Sequence, residues 1–140
     1  IVMLAAMIPI GTALQTTGVS SLIATSISTY ASSLSLFWIL LIILIVTMVT
    51  TDIINNAATA VIMAPISTGI ALELGYAIEP FLMVVAVGAS CAFLTPIGHQ
   101  CNTVVMGPGN YKFTDYWRMG LPMDILIILA SIPMILFVWT

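Results

Sequence analysis

The chain has 140 residues, of which 61% are hydrophobic and seven are charged, with a formal net charge of −3. Because soluble domains carry about 25% charged residues, this composition excludes a soluble fold and predicts an integral membrane protein. Two basic residues, Lys112 and Arg118, exclude an electrostatic nucleic-acid binder, and two cysteines, Cys91 and Cys101, exclude a disulfide framework or a four-ligand zinc site.

The length predicts one piece of a larger membrane protein. The chain begins at Ile1 inside an apolar run, without the basic segment that opens a signal peptide. A spanning helix needs about 20 residues, so the chain has room for about four or five crossings at most. This is too few for most transporters, and we therefore expect a fragment.

The first part of the chain, residues 1–33, predicts a partial broken helix followed by a linker. Pro9, Gly11 and Gly18 interrupt an apolar run, and residues 26–33 are rich in serine. Proline and glycine weaken a helix interior, and serine-rich clusters are typical of loops.

Two apolar arms, 34–49 and 57–72, flank a polar cluster that ends in Asn55 and Asn56. Each arm makes roughly 24 Å of helix, which is short for a full crossing. Two geometries remain open: two tilted crossings joined by a tight turn, or a re-entrant hairpin over 34–75 with its tip at mid-membrane. Unwound backbone at that depth is tolerated only in protein or beside an aqueous cavity, so the hairpin implies a binding site.

The second half predicts a discontinuous transmembrane helix over 80–106 and a last transmembrane helix over 114–140. Thr95–Gln100 interrupts the first of these, since Pro96 removes a backbone donor and Gly98 loosens the backbone. Paired interrupted segments are the best sequence indication of a transporter binding site.

Four polar side chains at these interruptions are candidates for function. Asn55 and Asn56 either form hydrogen bonds between helices or cap a helix end, or they coordinate an ion and a substrate. Asp52 is the acid expected to lie deepest, either as a partnered acid at a helix end or in proton or ion coupling. His99 either handles a proton or is a hydrogen-bonded residue of the site.

The sequence at the two interruptions resembles a known family. Residues 51–60, residues 90–102 and the turn at 107–116 followed by Gly120-Leu121-Pro122 are similar to the second half of divalent anion/sodium symporters. The resemblance covers nearly the whole chain. It implies an all-α integral membrane fold that is the second of two inverted repeats, with a re-entrant helical hairpin, a broken transmembrane helix and a final spanning helix.

The same resemblance implies a site and its ligands. Sodium, the coupling ion, would be held by Thr51, the Ile54 carbonyl, the Asn56 side chain and the Gly98 carbonyl. Substrate would contact Asn55, Asn56, Ala57 and His99. The full-length protein would be a homodimer in the lipid bilayer.

Two departures from the dicarboxylate branch bear on the substrate. Asn55 and Ala57 stand where that branch has serine and threonine, and Gln100-Cys101 replaces a proline pair. The pattern is closer to a branch with cytosolic TrkA-like regulatory domains that is associated with sulfate or other anions.

The resulting prediction is a secondary transporter, not an enzyme, that moves a small divalent anion of the sulfate or dicarboxylate class with sodium. The positive-inside rule predicts that the basic loop 107–118 lies in the cytoplasm. The expected membrane is a bacterial-type inner membrane. Two alternatives remain: a related anion exporter or sodium/proton-type antiporter, and a non-transporting membrane assembly subunit.

Overall fold

The computed structural model describes residues 35–139 and, before them, Pro9, Ala13, residues 16–18 and Thr25. The predicted broken helix and linker over 1–33 otherwise lie outside the described residues. Residues 35–139 contain no strand, and five helices make up most of them, which confirms the predicted all-α class. The helices are α1 (Leu36–Ile53), α2 (Asn56–Leu74), α3 (Ile78–Ser90), α4 (Gln100–Met106) and α5 (Phe113–Trp139).

Three of these helices have the length and composition needed to cross a membrane. They are α1, α2 and α5, which have 18, 19 and 27 residues. Helix α3 is apolar but shorter. A helix satisfies its own backbone groups inside hydrocarbon, so these elements are those of an integral membrane protein.

The core forms around α3, which packs against both α1 and α2, while α5 packs against α1 and α3. Gly88 permits the close crossing of α1 and α3, because a Cβ at this position would lie 2.9 Å from the Thr47 Cβ. Small residues allow membrane helices to approach in this way. The largest fully buried apolar side chains are Phe81, Leu40, Leu44, Ile70, Ile132 and Val84.

The junction between α1 and α2 consists of Ile54 and Asn55. Asn55 is the N-cap of α2, and its side-chain oxygen accepts a hydrogen bond of 2.8 Å from the Ala58 N–H. An asparagine cap satisfies one of the donors that a helix start leaves without an intrahelical partner. The chain therefore turns from one long helix into the next within two unwound residues.

The break between α3 and α4 spans residues 91–99 and begins earlier than the predicted Thr95. The additional unwound backbone has tertiary partners. The Leu94 N–H donates to Asp52 Oδ1 at 3.2 Å, and Asn102 Nδ2 donates to the Ala92 carbonyl at 2.9 Å. Because side chains from α1 and α4 satisfy these groups, the helix can end before Pro96.

Helix α5 lies against this break along one side. Its buried positions form a stripe at helical spacing, while most of its other residues are exposed. A Cβ at Gly120 would collide with the Phe93 carbonyl group. The last helix therefore packs directly on the backbone of the break. The buried residues of the stripe are Gly120, Asp124, Ile132 and Ile135.

Candidate functional site

The two interruptions meet in space at Gly98. A Cβ there would lie 3.0 Å from the Thr51 carbonyl oxygen and 3.1 Å from the Asp52 Cα. The Thr95 hydroxyl donates to the Asp52 carbonyl at 2.6 Å and accepts from the Gly98 N–H at 3.1 Å. The end of α1 and the α3–α4 break thus form one site, although about 40 residues separate them.

A group of oxygen atoms lies at the centre of this site. Thr51 is completely buried, and its hydroxyl shares one proton between Asn56 Oδ1 at 3.0 Å and the Ala89 carbonyl at 3.1 Å. The three oxygens come from α1, α2 and α3. Unwound backbone carbonyls and half-helix ends coordinate sodium in membrane transporters, so this donor set fits a hard cation.

The Ile54 carbonyl has lost its intrahelical hydrogen-bond donor at the same place. In a continuous helix this carbonyl would accept from the N–H of Ala58, four residues on. Here the Ala58 N–H donates to Asn55 Oδ1 instead. The structure thus brings Thr51, Asn56 and Gly98 together, with the unwound Ile54 between the first two along the chain.

Asp52 lies beside these oxygens and is 4% exposed. Its Oδ1 accepts from the Leu94 N–H, while its Oδ2 is buried without a hydrogen-bond partner in the described part of the chain. This acid therefore ties α1 to the break, which agrees with a partnered acid at a helix end. A role in proton or ion coupling stays a prediction.

The predicted substrate residues lie at two helix starts. Asn55 and Asn56 are half-buried and Ala57 is exposed at the start of α2, whereas the exposed His99 caps α4. His99 Nδ1 accepts from the Cys101 N–H at 3.2 Å, so in the neutral ring Nε2 carries the proton and is a donor. Within the described residues, no hydrogen bond joins His99 to either asparagine.

Sequence reasoning missed the side chains that shape the break. Asn102 Nδ2 donates to the Ala92 carbonyl at 2.9 Å and to the Thr95 carbonyl at 3.3 Å. The Tyr116 hydroxyl then donates to the Asn102 carbonyl at 2.7 Å, which connects α4 to α5. The sequence feature that could have indicated Asn102 is its position, as a polar residue in the first turn of the apolar segment after a break.

Comparison with known proteins finds a matching protein family. The sequence model of the sodium:sulfate symporter transmembrane region matches residues 1–140. The chain is 37% identical over 139 residues to Uncharacterized transporter sll0640 of Synechocystis sp., covering 99% of this chain and 23% of that protein.

Two relatives with more specific names match over shorter stretches. The identity is 29% over 81 residues with Sodium/sulfate cotransporter 2 of Chlamydomonas reinhardtii, covering 58% of this chain and 9% of that protein. It is 28% over 89 residues with the Sodium-dependent dicarboxylate transporter SdcS of Staphylococcus saprophyticus, covering 62% of this chain and 17% of that protein. The chain thus spans less than a quarter of the length of these relatives.

Proposed function

The chain belongs to the family of sodium:sulfate symporter transmembrane regions, and we propose that it forms part of a sodium-coupled symporter for a small divalent anion. Because this is a family of transporters, the chain is not an enzyme, as predicted. One relative is named for sulfate and another for dicarboxylates, and the proposed substrate is of one of these two classes.

The observation that carries the proposal is the contact of Gly98 with the Thr51 backbone. In the proposed site, sodium is held by the Thr51 hydroxyl, the Ile54 and Gly98 carbonyls and the Asn56 side chain. Removing any of these oxygens lowers the affinity for sodium. The bound ion stabilises the contact between the two breaks, which couples the ion to the geometry of the substrate site.

The proposed anion site adjoins the sodium site at the start of α2. Asn55, Asn56 and Ala57 present side-chain amides and the first N–H groups of a 19-residue helix. A helix N-terminus favours an anion, because its N–H groups point outward and the helix dipole is positive there. His99 adds an Nε2–H donor from the second break.

The remaining architecture is proposed on the resemblance and on the greater length of the relatives. Residues 34–75 form the re-entrant hairpin of a second inverted repeat, and 80–106 form its discontinuous helix. The complete transporter is a homodimer of a bacterial-type inner membrane, with loop 107–118 in the cytoplasm. Movement of the site-bearing part between two orientations gives alternating access.

The test is uptake of radiolabelled sulfate and succinate by liposomes that contain the full-length protein, with and without an inward sodium gradient. Sodium is expected to stimulate the uptake of one of these anions. Uptake that is unchanged by sodium would disprove the coupling, and the absence of uptake for both anions would disprove the substrate class.

Asn56→Ala tests the site itself, because it removes the amide oxygen that accepts a hydrogen bond from the Thr51 hydroxyl. We expect sodium-driven uptake to fall to background while the protein stays folded. Asn110→Gly is the matched control, since Asn110 is exposed and has a φ of 52°, which glycine adopts readily. Normal transport by the Asn56 variant would remove this residue from the site.

A further inference from the structure

A carboxyl group without a partner lies inside the membrane-spanning helix α5. Asp124 is 8% exposed, and its Oδ1 is buried with no hydrogen-bond donor in the described part of the chain. It lies about 9 Å along the helix axis from Arg118, the last residue of the basic loop proposed for the cytoplasm, and therefore within a bilayer core about 30 Å thick. An acid at this depth is costly and suggests a function.

The packing of α5 shows what Asp124 faces. Gly120, one turn before it on the same face, packs on the Phe93 carbonyl. The next backbone N–H, that of Leu94, donates to Asp52 Oδ1. The buried stripe of α5 therefore directs Asp124 toward the part of the break that Asp52 holds.

The titratable groups around Asp124 are few. Asp52 from α1 and Cys91 from the break lie within electrostatic range of it. Neither basic residue, Lys112 or Arg118, makes an ion pair with it in the part of the chain that the structure describes. The carboxyl group is thus buried beside a second acid, and the described residues include no cation paired with it.

We propose that Asp124 is a proton-binding site, at which the carboxylate takes up one proton and becomes a neutral acid packed against the break. A proton needs no further ligand, whereas a hard cation such as Ca²⁺ takes about 6–8 oxygens. The Oδ1 atom is buried within the described part of the chain. This site requires neither the proposed sodium site nor the proposed substrate.

The charge of Asp124 then controls how α5 packs. As a neutral acid it fits the apolar stripe, so α5 stays on the Phe93–Leu94 backbone. As an anion it is repelled by the nearby Asp52 and needs water, so the ionised form loosens this contact. Protonation occurs as the pH falls, and the contact therefore weakens as the pH rises.

The experiment is infrared difference spectroscopy of the full-length protein in lipid, titrated between about pH 5 and pH 9. An aspartate in water, with a pKa of about 3.9, stays largely ionised over this range. We expect acidification to add a carbonyl band of protonated carboxylic acid, to which Asp124 contributes about one group per chain. Asp124→Asn should remove that contribution, and the exposed-acid control Glu79→Gln should retain it.

Two results would overturn the proposal: no such band in the wild-type protein, or a band of undiminished size in Asp124→Asn. The absence of the band from the wild-type spectrum would overturn the proposal even if the variant fails to fold. Loss of the band when sodium replaces choline would also overturn it, because the group would then hold a metal ion. Since the spectrum requires no transport, a protein that moves neither sulfate nor succinate still tests the proposal.

Discussion

At the scale of a single residue, the absence of a side chain at Gly98 determines how closely the two breaks approach. The sequence marked it as a helix-weakening residue, and the resemblance added a sodium-ligating carbonyl. Neither indicated that its missing Cβ lets the break touch the Thr51–Asp52 backbone. Such close contact depends on residues far away along the chain, so local pattern cannot predict it.

Gly98→Ala should therefore separate the two breaks. Its Cβ would lie 2.9 Å from the Ala92 Cβ and 3.0 Å from the Thr51 oxygen, and overpacking of this kind costs about 1–3 kcal/mol. We expect a lower thermal unfolding temperature and a weaker sodium dependence of uptake. Gly107→Ala is the control, because a Cβ there meets nothing within 4 Å. Equal behaviour of the two variants would contradict the proposed contact.

Asn102→Ala should loosen the break from its other end. The substitution removes the amide that bonds to the Ala92 and Thr95 carbonyls, and two such bonds contribute about 1–3 kcal/mol in total. We expect the sodium concentration for half-maximal uptake to rise several-fold. Val104→Ala shortens a side chain that is 71% exposed on the same helix, and it should leave this concentration unchanged. A similar rise in both variants would indicate a general effect on α4.

At the scale of elements, the sequence predicted where helices form better than where α3 ends. Pro96 and Gly98 mark the break visibly, and both lie in it. Residues 91–94 are mostly apolar and contain no local stop signal, yet they are unwound. The side chains that permit this, Asp52 and Asn102, come from other helices. The helical periodicity of α3 therefore cannot predict where this helix ends.

Gly120→Ala tests the contact between α5 and the break as a contact between elements. The added Cβ would collide with the Phe93 carbonyl group and lie 3.0 Å from the Leu94 nitrogen. Because backbone cannot rotate away as a side chain can, α5 must shift, and we expect reduced thermal stability and reduced uptake. Met119→Ala changes a side chain on the same helix that is 74% exposed. A Gly120 variant as stable and active as this control would show that α5 does not rest on the break.

At the scale of the whole molecule, the main result is that two distant interruptions form one site. Polar breaks in apolar segments are visible in the sequence, and both were found there. Their pairing predicted a site and the resemblance supplied its ligands, but one sequence contains no distance information. The structure adds the physical links, which are the Thr95 hydroxyl on the Asp52 carbonyl and the Leu94 N–H on the Asp52 carboxylate.

This arrangement predicts that water reaches one cysteine and not the other. Cys101 lies exposed at the start of α4, beside His99 in the proposed anion site, whereas Cys91 is buried at the end of α3. A polar maleimide should therefore label Cys101 and not Cys91 in the folded full-length protein, as mass spectrometry of the two peptides would show. Cys101→Ser should abolish labelling at this position, while Cys91→Ser should preserve the labelling of Cys101.

The effect of ligands on this labelling tests whether the two breaks act together. If sodium holds the Gly98 backbone on Thr51, it restrains the residues leading into α4, so sodium alone should slow the modification of Cys101. Adding the transported anion should slow it further, because the anion would lie beside His99. Potassium at the same concentration controls for ionic strength. Labelling of Cys101 at one rate under all these conditions would mean that α4 lies outside the coupled site, even if the protein transports anions.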